Sequence, residues 1–194
     1  MPEPRLVVRI RPAEATDAPA IASIYNHAVV HTVATMDTEP RSVPAQLRWL
    51  DEHVPPWLAV VAESGGRVVG WASLSRWSDR PAYATTAEVS VYVDAAVHGR
   101  GAGGALLDHL LEAARQAGFH SLLARVAGGN EVSLGLHLRR GFVRVGVMRE
   151  VGWKHSGWVD VHLLERLAPP ARVPPDAISE DLRRSSPAPP ATQS

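Results

Sequence analysis

The chain of 194 residues contains no cysteine and a single lysine, Lys154. Without cysteine there are no disulfides and no thiolate metal sites, and no acyl group can be carried on an enzyme thiol. Excess charge is also missing: 20 basic and 20 acidic side chains balance. Proteins that bind polyanions carry an excess of Lys and Arg, so the balance excludes a nucleic-acid partner. No apolar run approaches the roughly 18 residues of a membrane span, and Met1-Pro-Glu-Pro-Arg5 lacks the apolar core of a signal peptide. A cytoplasmic protein with no membrane partner is expected. No set of His and carboxylates has metal-ligand spacing, so no metal is expected.

What the chain does have is unevenly placed. From Ala168 to Ser194 it holds 7 of its 16 prolines and few large apolar residues. Such a stretch cannot bury enough surface to offset its ordering entropy. Residues 168–194 are read as a disordered Pro-rich tail and residues 1–167 as one domain. Within the domain, helical and strand periodicities alternate. Strands are predicted at Leu6–Arg11, Trp57–Glu63, Arg67–Ser75, Ala87–Asp94, Ser121–Val126, Phe142–Met148 and Trp158–Glu165. Helices are predicted after an N-cap at Thr16, at Pro44–His53, at Gly101–Ala117 with Gly118 as its stop, and at Glu131–Arg140. The order β α α β β β α β α β β implies an α/β, three-layer domain with a mixed, mostly antiparallel sheet of about seven strands flanked by helices.

The most informative segment runs from Val93 to Ala105, where Gly99, Gly101, Gly103 and Gly104 join a strand to a helix. Glycine permits positive φ and close approach to a ligand. The first N–H groups of the helix lack acceptors and sit at its positive end. Together they form a pyrophosphate cradle, to which Arg100 adds charge. Gly99-x-Gly101-x-x-Gly104 formally matches a dinucleotide fingerprint. That motif requires an acidic residue at the end of the next strand, where this chain has Arg125-Val-Ala-Gly-Gly129. A nucleoside-triphosphate loop requires a Lys that is absent.

Coenzyme A is an alternative pyrophosphate ligand, and a resemblance points to it. His98-Gly99-Arg100-Gly101-Ala102-Gly103 resembles the Q/R-x-x-G-x-G/A loop of the GCN5-related N-acetyltransferase superfamily, with His where Gln or Arg is usual. Arg80-Pro-Ala-Tyr83, Thr86-Ala-Glu88, Val91-Tyr-Val93, Asn130-x-x-Ser133-x-x-x-His137 and Gly152-Trp-Lys-His-Ser-Gly-Trp158-x-Asp160 resemble its phosphinothricin and methionine sulfoximine N-acetyltransferase branch. The resemblance spans essentially Arg5–Leu167. It implies an acetyl-CoA-dependent N-acetyltransferase for the amino group of a small amino acid or analogue, acting as a homodimer by direct transfer.

The resemblance also implies site residues. Glu88 is the expected general base, and His137 an acid or base at the leaving thiol. The backbone of Val91, Tyr92 and Val93 is expected to hold the pantetheine arm, provided that the sheet splays open between the Ala87–Asp94 and Ser121–Val126 strands. Asn130 is expected to assist there. The pyrophosphate falls to Gly99, Arg100, Gly101, Ala102, Gly103 and Gly104. The acceptor is expected near Ser78, Asp79, Arg80 and Tyr83, with Glu88, Val89 and Ser90 beside it. Arg80 is suited to pair with a substrate carboxylate. Lys154 and His155 lie in the last hairpin, at the acceptor pocket, the dimer surface or an exposed turn. Arg139 and Arg140 read as solvated. Met36 and Thr85 replace the aromatics usual in the branch, which implies a wider acceptor pocket. A non-catalytic acyl-CoA-binding module is the alternative, and the presence of both acid/base residues argues against it.

Overall fold

The structure is a computed structural model, and it describes residues 4–168. The expected disorder of the tail therefore lies outside the described residues. The elements are β1 (Arg9–Pro12), a 3-10 turn (Ala15–Asp17), α1 (Ala18–His31), α2 (Val43–Asp51), β2 (Leu58–Ser64), β3 (Arg67–Arg76), β4 (Thr86–Val93), α3 (Ala102–Gln116), β5 (Ser121–Ala127), α4 (Glu131–Leu138), β6 (Val143–Lys154) and β7 (Gly157–Leu167). The strands form one seven-stranded sheet, ordered β1-β2-β3-β4-β5-β7-β6. Every neighbouring pair is antiparallel except β4 and β5. Among the described residues no helix is long and apolar enough to cross a membrane.

Strand alternation divides the core into two layers. On one face, Leu106, Leu107 and Leu110 of α3 pack on Val60, Leu74, Val89, Leu122 and Ala124. On the other, Ile21, Tyr25 and Val29 of α1 pack on Val61 and Trp71. Val60 and Val61 are adjacent in β2 yet enter opposite layers, as a two-residue side-chain period requires. Each fully buried leucine contributes about 1.5–3 kcal/mol relative to exposure.

The parallel pair positions the site. β4 follows β3 in register from Arg76↔Ala87 to Gly70↔Val93. It meets β5 only at Thr86↔Ser121, Ala87↔Leu122 and Glu88↔Leu123. Beyond Leu123, β5 follows β7, in register from Ser121↔Leu167 to Ala127↔Val161. The sheet thus forks after Glu88, leaving the backbone of Val91–Val93 without a strand partner on the β5 side.

Several predicted boundaries move. The first strand begins at Arg9 rather than Leu6, because the segment before it lies on the glycine loop, with Leu6 N–H donating to Arg100 O at 2.9 Å. Thr16 is not an N-cap: a 3-10 turn intervenes and α1 starts at Ala18, after Asp17. β6 does not stop at Met148. Glu150 takes a left-handed φ of 51°, and its N–H donates to Asp160 Oδ1 at 2.8 Å. That bulge absorbs the break in alternation, and pairing resumes at Gly152↔Val159.

Asp17 is buried where β1 meets α1. Arg11 donates to it through Nη1 at 2.7 Å and Nη2 at 2.9 Å. These bonds hold its carboxyl below the ordinary range; burial opposes them and the Glu14 N–H reinforces them. The folded state therefore binds fewer protons than the unfolded chain. The stabilisation is complete above the unfolded carboxyl's pKa of about 3.9 and is lost as pH falls below it through the folded value. Asp17→Ala is expected to cost about 1–3 kcal/mol in denaturant unfolding at pH 7. The gap from the wild type should shrink below about pH 4.

Candidate active site

The loop after β4 is built on two left-handed glycines, Gly99 at φ 76° and Gly101 at φ 95°. Gly101 is the N-cap of α3. The first N–H taken up by the helix is that of Ala105, 3.1 Å from Gly101 O. The N–H groups of Ala102, Gly103 and Gly104 precede it and have no intrahelical acceptor. Gly103 and Gly104 already belong to α3, so neither is glycine for its φ. A Cβ on Gly104 would stand 2.5 Å from Arg140 Nη2. Arg140 is not a solvated side chain. It crosses Gly104 to Asp108, with Nε–Oδ1 at 2.6 Å and Nη2–Oδ2 at 3.0 Å, and ties the end of α4 to α3. Arg100 donates from Nε to Pro4 O at 3.3 Å, and the His98 ring bonds Val93 O at 2.9 Å.

Glu88 is the last β4 residue in the parallel ladder. Ala87 and Val89 on either side of it enter the α3 core, so Glu88 faces the α1 side. The Val89 side chain, expected beside the acceptor, is thereby placed in the core at 4% exposure. Glu88 is engaged by Arg125 in a two-pronged contact, Nε–Oε1 at 2.7 Å and Nη2–Oε2 at 2.6 Å. The Arg125 guanidinium also lies 5.7 Å from the Trp77 ring centroid. Ser75 is the register partner of Glu88, and Ser73 that of the half-buried Ser90. A hydrogen-bonded chain links Ser73 Oγ to Ser75 Oγ at 3.2 Å and Ser75 Oγ to His53 Nε2 at 2.9 Å. Farther along the same face, Tyr92 stacks on Trp71 with centroids 4.8 Å apart. Burial raises the Tyr92 hydroxyl pKa to about 12.

On α4, His137 is only 3% exposed and meets the Phe142 ring edge-on at 5.0 Å. Its Nδ1 is 2.9 Å from Ser133 O. A carbonyl only accepts, so Nδ1 carries the proton and Nε2 holds a lone pair. Nε2 is buried without a hydrogen-bond partner. Burial lowers the pKa of the ring, partly opposed by the Ser133 bond. Asn130 caps α4, its Oδ1 accepting from Ser133 N–H at 3.1 Å.

The loop from Ser78 to Tyr83 is open. Ser78 Oγ accepts from Arg80 N–H at 3.3 Å, Arg80 O accepts from Tyr83 N–H at 3.0 Å, and Asp79 pairs with Arg76 at 3.6 Å. Arg80 itself is exposed. The last hairpin is not an exposed turn at Lys154. This lysine is 5% exposed and donates to Thr35 O at 2.8 Å, and burial lowers its pKa. His155 bonds Thr32 O at 3.1 Å. A Cβ on Gly152 would stand 2.5 Å from Met36 Sδ, so Met36 is seated on the hairpin. A cavity of about 590 Å³ lies here, lined by Val33, Gly128, Gly129, Lys154, Trp158 and His162, among others.

The sequence and the fold are similar to those of known proteins. The Acetyltransferase (GNAT) family matches residues 21–142. The chain belongs to the GNAT family. It is 36% identical over 168 residues to the L-methionine sulfoximine/L-methionine sulfone acetyltransferase of Pseudomonas paraeruginosa, covering 86% of this chain and 98% of the relative. It is 36% identical to the L-amino acid N-acyltransferase of Escherichia coli, covering 87% and 98%. Among solved structures it is similar to a GNAT superfamily phosphinothricin acetyltransferase from Sinorhizobium meliloti in complex with acetyl-CoA. There the TM-score is 0.81 and the identity 31%, covering 86% of this chain and 95% of that one.

The chain is thus a GNAT N-acetyltransferase, and acetyl-CoA is its co-substrate. The fold gathers Glu88 and the Val91–Val93 backbone along one arm of the fork, with the α3 amides beyond its end. Sequence reasoning missed the contact of Arg125 with Glu88 and read Arg140, which crosses Gly104, as solvated; of the places it left open for Lys154, the exposed turn is excluded.

Proposed function

We propose that this enzyme transfers acetyl directly to the amino group of a small amino acid or analogue, of the phosphinothricin and methionine sulfoximine kind. The fork after Glu88 carries this reading, because it leaves strand backbone without a strand partner and helix amides without intrahelical acceptors around one path. Acetyl-CoA supplies the activated acyl group. The Val91–Val93 backbone would pair with its arm as an added strand. The N–H groups of Ala102, Gly103 and Gly104 would take the pyrophosphate, with Arg100 adding positive charge nearby. Asn130 keeps its amide N–H donors for the same arm while its Oδ1 caps α4.

Glu88 accepts the proton that the acceptor's ammonium must lose to become nucleophilic. His137 presents a lone pair at Nε2 that can take up a proton and return it to the leaving sulfur. A chain without cysteine carries no thioester of its own. Three relatives named for amino-acid acceptors support this acceptor class.

A homodimer fits the edge of the sheet. β6 is an edge strand, and its Val143, Val145, Val151 and Trp153 are all about half exposed. Trp153 pairs edge-to-face with the exposed Trp158. An exposed edge with apolar side chains is a template for pairing with another chain.

Thiol release from acetyl-CoA is expected with a panel of L-amino acids that includes methionine sulfoximine and phosphinothricin. Glu88→Gln should lower kcat by about 10²–10⁴, and His137→Ala by at least tenfold. Wild-type kcat in both variants would contradict these roles. Light scattering should give twice the 20.9 kDa chain mass, and Trp153→Glu combined with Trp158→Glu should give one chain mass. A monomeric wild type would end the dimer reading.

A further inference from the structure

We infer that Arg125 reads the acceptor's carboxylate, and that the Glu88–Arg125 ion pair is the seat of a zwitterionic α-amino acid. The inference deepens the proposed function and rests on Glu88 as the base. Both Glu88 oxygens already accept charge-assisted bonds from Arg125. A carboxylate so engaged is not free to receive a proton from an ammonium. An incoming carboxylate offers the guanidinium the same planar, two-oxygen acceptor and can take it over. An α-amino acid brings that carboxylate together with the ammonium on one carbon. Its two charges are the complement of the Arg125–Glu88 pair. Exchange replaces one ion pair by two and leaves no charge unpaired.

Position and access support the exchange. Leu123 is the last β5 residue in register with β4, and Arg125 lies two residues farther, where the ladder has ended. Leu122, Ala124 and Val126 enter the α3 core, so Arg125 projects to the same face as Glu88. Its side chain is 53% exposed against 16% for Glu88, so solvent reaches the pair from the arginine side. Nη1 makes no hydrogen bond among the described residues, while Trp77 flanks the guanidinium. Arg80, the carboxylate partner expected from the sequence, is exposed in the Ser78–Tyr83 loop and has no ion pair to Glu88.

The test compares kcat/KM for one L-amino-acid acceptor and for its carboxamide, which keeps the amine and loses the carboxylate. Wild type is expected to prefer the free acid by about tenfold to a hundredfold. In Arg125→Gln the preference should fall to within about threefold, through a higher KM for the free acid with the carboxamide's kcat retained. Arg125→Lys should restore part of the preference as a point charge, and carries the test if the Gln variant does not fold. Calorimetry should give unchanged acetyl-CoA affinity in either variant.

An undiminished preference in Arg125→Gln would overturn the inference. So would equal losses on both acceptors, which a purely structural role produces, or a preference that disappears only in Arg80→Ala. A wild type that acetylates acid and carboxamide equally would overturn the inference and leave the acetyltransferase reading intact. No turnover of any amine would remove that reading and the inference with it.

Discussion

The rest of the molecule depends on one pairing: β4 and β5 run parallel and meet over only three residues. Parallel strands cannot be joined by a tight turn, so the chain must cross over through α3. Leu106, Leu107 and Leu110 hold that helix on the sheet, and Gly101 starts it just past the end of β4. β4 is bound along its length to β3, and β5 to β7. The two strands therefore follow different neighbours and diverge. Backbone N–H and C=O groups in the fork are left to be satisfied by something other than the sheet. The same divergence sets Glu88 at the vertex, next to the place where a ligand's backbone-like amides can pair.

Charge follows the same geometry. A chain of zero net charge still concentrates positive potential where three helix N–H groups open beside Arg100. Across the sheet it holds Glu88 and Arg125 as a local pair of opposite sign, in reach of solvent. Lys154, whose charge is disfavoured by burial, rests on Thr35 O and so fastens the last hairpin to the α1–α2 connection. Seating Met36 on Gly152 does the same from the other side. Met36, one of the two residues that replace an aromatic of the branch, is thus part of this clasp.

Much of this was legible in the sequence because it is local. Gly118 stops α3, Asn130 caps α4, and Gly65-Gly66 turns β2 into β3, each through neighbours a few residues away. The element order fixed the three layers for the same reason. Arg125 was not legible. Its partner lies 37 residues earlier, and nothing in the composition of β5 tells where its ladder with β4 ends. Gly104 read as a loop glycine because Arg140, whose guanidinium its missing Cβ admits, is 36 positions away. β6 read as ending at Met148 because Arg149 and Glu150 break the alternation, and only the Asp160 carboxylate shows that a bulge carries the strand on.

The fork as the binding path for acetyl-CoA is tested most directly by amide hydrogen exchange with and without that molecule. Exchange should slow across Val91–Val93 and Ala102–Gly104 on binding, with little change along β1 and β2. Saturated binding that leaves both segments exchanging as in the free protein would contradict it.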